Sequence, residues 1–342
     1  MSKKKLGAAV IALKEGIRHI KAYQSNPEID LLMICDTDEK LLAQRKEEFG
    51  VPDAVTDYHE VLANPEIDMV SVATPDYYHA EQSIAIMKAG KHVLCEKPMT
   101  LNLEEAEEII KVVRETGQIF MTGHPTRFTP AFMLAKKIIQ RGDIGELFMV
   151  ESEYAHNYTH TGGKDNWRID ERRDPFIGGA CHAVDLIRWI VGEDIDEAFA
   201  YGNHKCLTDW PVNDAYMALF KFKNEVIGKV MCSIGLVRHY TMRSVFYGTD
   251  GTIICDNMSD TMQVASRRNT GRDDESIPQF ATLPVGVSSH CVRLEVANLI
   301  DAILRNKPLK ADAVEGAKTV AACVAAVESA QKGNKIKVKN NF

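Results

Sequence analysis

Leu6-Gly7-Ala8-Ala9-Val10-Ile11-Ala12-Leu13-Lys14-Glu15-Gly16-Ile17-Arg18-His19 passes from an unbroken apolar run into a helical pattern, and Asp30-Leu31-Leu32-Met33-Ile34-Cys35-Asp36 opens a second apolar run soon after. The spacing predicts a strand over 6–13, a helix over 16–24 and a strand over 30–35. A strand with no polar alternation has to be covered on both faces, which is the condition of a parallel strand. The alternation continues outward: helix over 38–49, strand over 69–73, helix over 80–89 ended by Gly90, strand over 92–95, helix over 103–116, strand over 119–122. Strands separated by helices in this order predict a doubly wound α/β domain.

The second half reads differently. After a helix over 130–140 come strands over 146–154, 197–203, 215–222, 226–235, 244–247, 252–255 and 261–266, with few helices between them. Helices return over 292–305 and 313–331. The expectation is an N-terminal Rossmann doubly wound parallel sheet over 1–124 and a C-terminal α+β domain over 125–342. The second domain would be built on a large, mainly antiparallel open sheet.

Composition narrows the classes of function. The 342 residues carry 41 basic and 48 acidic side chains, a net charge of −7, which is no electrostatic footprint for nucleic acid or an anionic membrane. No apolar stretch approaches the roughly 18 residues that span a bilayer. Lys3-Lys4-Lys5 before Leu6–Leu13 imitates a secretory signal, but Lys14 and Glu15 interrupt it and no small-residue cleavage site follows. Eight scattered cysteines with no Cys-x-x-Cys pair argue against zinc or thioredoxin-type sites and for a reduced, cytoplasmic setting.

A strand–turn–helix can cradle a dinucleotide pyrophosphate on free N–H groups at the helix start. Here Ala12-Leu13-Lys14-Glu15-Gly16 forms that turn; Ala12 and Lys14 stand where glycines are expected, and the loop is one residue short. A strand–turn–helix that binds nothing has the same appearance. Asp36 ends the second strand at the distance expected of a ribose-binding acid. No Arg or Lys at residues 37–39 would welcome a 2′-phosphate, which favours NAD over NADP.

Two further stretches carry more. Ala73-Thr74-Pro75-Asp76-Tyr77-Tyr78-His79 precedes Ala89-Gly90-Lys91-His92-Val93-Leu94-Cys95-Glu96-Lys97-Pro98, and Gly178-Gly179-Ala180-Cys181-His182-Ala183-Val184-Asp185-Leu186-Ile187-Arg188-Trp189 comes later. With Gly123-His124-Pro125-Thr126-Arg127-Phe128-Thr129-Pro130 and Gly142-Asp143-Ile144-Gly145-Glu146, these resemble the glucose–fructose oxidoreductase / inositol dehydrogenase / MocA (Gfo/Idh/MocA) family of NAD-dependent oxidoreductases. The resemblance implies that the Glu96-Lys97-Pro98 turn presents its lysine to substrate and nicotinamide ribose, with Glu96, Thr74, Pro75 and His79 beside the cofactor. His79 also opens a helix, so capping competes with a cofactor contact.

Oxidising a secondary alcohol removes a hydride from carbon and a proton from oxygen. His182 has the pKa range of a base for that proton, and Lys97 can stabilise developing alkoxide charge. Asp185, three residues on, would share a helix face with His182 as its orienter or as a substrate contact. Many family members carry an aspartate four residues before this histidine; here the position is Gly178.

Tyr154, His156, Tyr158 and His160 would line one face of an extended strand, a row suited to a polyol. Two histidines there lack a third metal ligand at supporting spacing, so no metal is expected. Trp167 and Arg168 resemble a family element near substrate or cofactor, while Arg168, Arg172 and Arg173 could instead hold an acidic substituent or form a solvated cluster. His124 and Arg127 are substrate-side candidates at the domain junction, where His124 faces the cleft or fills it.

The function expected is hydride transfer between a sugar, polyol or glycoside hydroxyl and NAD, in a homodimer or homotetramer by resemblance. Two alternatives use the same residues: an NAD-recycling glycosidase working by oxidation, elimination, hydration and reduction, and a non-catalytic sensor of NAD and sugar.

Overall fold

In the computed structural model, residues 5–159, 166–269, 277–288 and 290–342 are described. Contacts divide the chain into two units, residues 5–124 with 292–317 and residue 342, and residues 125–291 with 318–341.

The first unit begins β1 (Leu6–Ile11), α1 (Leu13–Gln24), β2 (Ile29–Cys35), α2 (Glu39–Phe49), β3 (Asp53–Val55) and α3 (Tyr58–Ala63). It continues β4 (Met69–Val72), α4 (His79–Lys88), β5 (His92–Glu96), α5 (Leu103–Thr116) and β6 (Phe120–Gly123). Its strands form an all-parallel sheet in the order β3-β2-β1-β4-β5-β6. β1 and β4 are buried almost throughout, as strands covered on both faces must be. The short β3 and α3 had no signal long enough to read from the sequence.

The helix predicted to begin at Gly16 begins at Leu13, and a single residue, Ala12, joins it to β1. Ala12 takes φ 67°, ψ 124°, a sparsely populated positive-φ conformation that costs an L-residue about 1–3 kcal/mol. Gly16 explains the economy of the turn. A Cβ there would meet Val10 Cγ1 at 2.8 Å, so its absence lets α1 lie close on β1.

The second unit contains α6 (Pro130–Gln140), β7 (Leu147–Ala155), α7 (Pro175–Gly178), α8 (Cys181–Val191), β8 (Ile195–Asn203), β9 (Ala215–Phe222) and β10 (Ile227–Ser233). β11 (Ser244–Gly248), β12 (Gly251–Cys255), β13 (Thr261–Ser266) and β14 (Ala281–Pro284) follow, with β15 (Ile336–Lys337) near the end. They make a nine-stranded sheet among the described residues, ordered β14-β13-β12-β11-β7-β10-β9-β8-β15. All pairings are antiparallel except β7 with β10. One face is filled by side chains such as Phe220, Phe222, Val230 and Phe246, against which α8 packs.

The boundary after residue 124 is thus crossed a second time. Where the sequence assigned everything beyond it to one domain, α9 (Val292–Arg305) and the start of α10 (Ala313–Lys332) pack with the first unit. Val292, Val296, Leu299 and Ile300 bury the apolar stripe of α9, Arg305 pairs with Glu28 at 2.6 Å, and the Thr122 amide donates to the Ala311 carbonyl. Amphipathic periodicity shows that such a helix needs a partner, but not which one.

Candidate active site

In the first unit the candidate side chains gather at the carboxyl ends of β1, β2, β4 and β5, where open α/β sheets place ligands. Asp36 closes the β2 end: its Oδ2 accepts from the Leu13 amide at 2.7 Å and its Oδ1 from the Asp38 amide at 2.9 Å. The carboxylate is held by backbone on each oxygen and keeps further lone pairs for ribose hydroxyls. Ala12 offers no side-chain cap to α1, and the first helical amide, that of Leu13, is taken by Asp36; Lys14 is exposed and Glu15 half-buried. These residues fit a dinucleotide: a tight turn, a helix N-terminus with no capping side chain from Ala12, and an acid at the ribose position.

Glu96 and Lys97 end β5, both half-buried. Glu96 is the head of a buried hydrogen-bonded chain: its Oε1 is 3.1 Å from His19 Nε2, His19 Nδ1 is 2.9 Å from Ser71 Oγ, and Ser71 Oγ is 2.6 Å from the Tyr23 hydroxyl. The Lys97 amide donates to Glu96 Oε2 at 3.3 Å. His19 is 0% exposed and orients Glu96. Burial pushes the Tyr23 hydroxyl far up, so it stays neutral.

His79 departs from both of its predicted roles. It is fully buried, its Nδ1 lies 2.7 Å from the Pro98 carbonyl oxygen, and its Nε2 lies 3.0 Å from that of Thr74. With both ring nitrogens on backbone carbonyls, the ring ties the turn after β4 to the turn after β5 and offers neither nitrogen to a cofactor. Thr74 Oγ1 donates to Gln82 at 2.9 Å, and Thr74 and Pro75 are half-buried at this edge. His124, at the end of this unit's sheet, is 1% exposed and its amide donates to the Thr122 carbonyl.

In the second unit His182 lies in the first turn of α8, 2% exposed. Its ring is 5.8 Å from that of Tyr154 at an interplanar angle of 20°, and 5.7 Å edge-on to His290. Tyr154 also faces His156 at 5.8 Å and Tyr240 at 5.6 Å, and its hydroxyl is 2.8 Å from that of Tyr158. Burial first, then the neighbouring tyrosines, hold the Tyr154 hydroxyl well above its ordinary pKa, against the nearby Arg173 charge. The predicted row thus becomes a cluster: β7 ends at Ala155, and the chain curls so that Tyr158 returns to Tyr154. His160 lies outside the described residues. Tyr240 and His290 were missed; they sit in loops, where no periodicity marks which side chains converge.

Two glycines make room for this arrangement. A Cβ on Gly179 would stand 2.5 Å from Tyr154 Cε1, and one on Gly178 would stand 2.4 Å from Arg173 Cζ. The position where many family members carry an acid is therefore occupied, in space, by a guanidinium. The three predicted arginines separate: Arg172 is exposed and bonded to Asp170, Arg168 is half-buried 4.5 Å from the Trp167 ring, and Arg173 is 1% exposed, 4.9 Å from Trp167 and 5.9 Å from Tyr158.

Asp185 and Arg127 find each other. Asp185, 0% exposed, accepts from Arg127 Nε at 2.9 Å and from Arg127 Nη2 at 2.7 Å, and Thr319 donates to it at 3.1 Å. Arg188 donates to the same Thr319 at 2.9 Å. A bidentate buried pair is strong and geometrically exacting. Here it fastens α8 to residues 125–128, so the predicted orienter and the predicted substrate contact are engaged with each other. No group of three His, Cys, Asp or Glu among the described residues could hold a metal.

Comparison with known proteins agrees with this geometry. Residues 6–124 match the family described as "Oxidoreductase family, NAD-binding Rossmann fold", and residues 132–254 match the GFO/IDH/MocA C-terminal domain. The chain belongs to the Gfo/Idh/MocA family. It is an NAD-dependent oxidoreductase whose first unit is the NAD-binding domain. It is 30% identical over 260 residues to myo-inositol 2-dehydrogenase of Thermotoga maritima, covering 73% of this chain and 74% of that one. With scyllo-inositol 2-dehydrogenase (NAD(+)) of Bacillus subtilis it shares 29% over 280 residues, 80% of each. The solved structure of levoglucosan dehydrogenase in complex with NADH and levoglucosan aligns with TM-score 0.88 at 25% identity, over 98% of this chain and 99% of that one.

Proposed function

We propose that this member transfers hydride between NAD and a secondary hydroxyl of a sugar, polyol or glycoside. The observation that carries the reading is the aromatic and imidazole cluster of Tyr154, His156, Tyr158, Tyr240, His290 and His182, which combines ring faces with hydrogen-bonding edges, as recognition of a polyol requires. Inositol and levoglucosan, named for the relatives, belong to the same chemical class.

NAD, when bound, supplies the hydride acceptor. Asp36 holds the adenosine ribose, and the Ala12–Gly16 turn receives the pyrophosphate. Lys97 polarises the substrate oxygen, and His182 accepts its proton. Tyr154, ring to ring with His182, sets the imidazole's plane. Arg127 and Asp185 hold α8 in place, so Asp185 acts on His182 through the helix. His156, Tyr158, Trp167 and Arg168 contact the remainder of the substrate, with His124 on the substrate side.

The test is NADH absorbance with a panel containing myo-inositol, scyllo-inositol and levoglucosan. Lys97→Ala and His182→Asn are each expected to lower kcat/KM by about 10²–10⁴-fold, the range of a lost acid–base or electrostatic group. A panel substrate turned over equally by wild type and both variants refutes the roles. Cleavage of a glycoside without net NADH would support the recycling glycosidase instead.

We also propose a homodimer or homotetramer built on the open face of the nine-stranded sheet. Tyr201, Met217 and Met231 lie in one cross-strand row there, and Phe199, Leu219 and Lys229 in the next. Tyr201 is 70% and Leu219 53% exposed, an apolar surface of the kind that marks contact between copies. No described helix is long and apolar enough to cross a membrane. The eight cysteines are free, which favours a reducing, cytoplasmic setting.

A further inference from the structure

The segment that returns to the first unit brings a carboxyl into its interior. Glu295 falls within the buried stripe of α9, beside Val292, Val296 and Leu299, and is 1% exposed. Among the described residues neither of its oxygens has a hydrogen-bond partner. A buried carboxyl left unbonded is costly, so a native chain that keeps one invites a functional explanation.

Its direction supplies one. Glu295 Oε2 is 3.3 Å from the place a Cβ on Gly123 would occupy, and that same place is 3.3 Å from the Cys95 carbonyl oxygen and 3.7 Å from Glu96 Cα. The carboxyl is thus aimed at the carboxyl ends of β5 and β6, over the backbone of Glu96. Gly123 is what leaves it room. The charged groups around it are few: Glu96 from β5, Arg18 and His19 from α1, and none from β6, whose residues are Phe120, Met121, Thr122 and Gly123. His19 is already bonded to Glu96, and Arg18 is exposed and paired with Glu15 at 3.3 Å.

We propose that Glu295 is a positioning residue for the cofactor: it holds a proton against Glu96 and so fixes the Glu96–Lys97 turn on which the nicotinamide half of NAD rests. This rests on the reading above that the turn serves the nicotinamide. Two carboxyls this near each other, one of them fully buried, disfavour each other's charge, so the buried one keeps its proton. Burial, and then the Glu96 charge, hold Glu295 well above the usual carboxylate range, with Arg18 opposing in part. The protonated acid is a donor not yet bonded in this structure, and Glu96 is the carboxylate it faces across Gly123. The role is positioning and not conduction. From half-buried Glu96 the hydrogen-bonded chain runs inward through His19 and Ser71 to Tyr23, which is 0% exposed, so these groups give a proton no second opening to solvent.

The experiment titrates NADH into the full-length wild type, Glu295→Gln, Glu295→Leu and Glu295→Met, and follows thermal unfolding from pH 5 to 8.5. Gln keeps a donor, so its NADH affinity should stay within about twofold of wild type. Leu and Met remove the donor and should weaken NADH about tenfold, the worth of a hydrogen bond to a charged group. Met, matched in length, keeps the comparison intact if Leu prevents folding. A raised folded pKa means stability that is lost as pH climbs past the ordinary glutamate range. The melting temperature of Glu295→Gln should therefore gain on wild type steadily with rising pH. Equal NADH affinity in all variants, or a melting difference that stays flat with pH, overturns the proposal. Lys97→Ala separates the two claims: unchanged NADH affinity there refutes the placement of nicotinamide at this turn. NADH weakened in Lys97→Ala but unchanged in Glu295→Met refutes the role of Glu295 alone.

Discussion

His79 should be a charged ring in the folded protein, and replacing it should remove a stabilisation that depends on pH. A neutral imidazole has one N–H, yet carbonyl oxygens stand 2.7 Å from one ring nitrogen and 3.0 Å from the other. Only the imidazolium donates to both. Burial opposes that charge, but Cys95, Asp76 and the Pro98 carbonyl outweigh it, and the pKa is pushed up to about 9 from an ordinary 6.5. At 1.36 kcal/mol per unit, the protonated ring contributes on the order of 3 kcal/mol. Because the folded value is the higher one, this contribution is complete below about pH 6.5 and is lost as pH rises towards 9. His79→Ala also leaves a cavity, whose cost does not vary with pH. The assay is urea unfolding of wild type and variant from pH 6 to 9.5, taking the difference at each pH so that other titrating groups cancel. The difference should shrink by roughly 3 kcal/mol across the range. A difference that is constant with pH, or a His79 ring that titrates below 6.5 by NMR, refutes the argument.

Three other outcomes follow from specific geometry. Ala12→Gly should leave stability unchanged or raise it by up to about 1 kcal/mol, because glycine adopts φ 67° without steric cost; a loss in urea unfolding would show that the turn is unstrained. Asp185→Leu or Arg127→Met alone should cost about 3–5 kcal/mol by stranding a buried charge, and the double variant should recover much of it; additive losses in the double-mutant cycle would refute the coupling. Leu219→Glu, in the middle of the exposed apolar rows, should shift the mass measured by light scattering towards that of the 38.2 kDa chain. An unchanged mass would place the subunit contact elsewhere.

Much of the cofactor half was legible in the chain because its signals are local. Apolar runs of strand length, separated by helical periods, specify a parallel sheet wherever they occur, and the acid at Asp36 and the Glu96–Lys97 turn keep fixed positions relative to those strands. His182 was legible for the same reason, as a histidine in the first turn of a recognisable helix. Glu295 left one trace, a charged residue in the apolar stripe of α9, which periodicity alone treats as noise.

The amino-acid sequence by itself determined the two kinds of sheet and the family to which the chain belongs, since these depend on residues near one another along the chain. Only the tertiary structure decided that Asp185 answers to Arg127, that His79 staples two turns, that Arg173 fills the space over Gly178, and that α9 folds back to bring Glu295 over Gly123. Those outcomes turn on which donor meets which acceptor after long stretches of chain have closed. A side chain's chemistry is written at its own position, but its partner is chosen by packing.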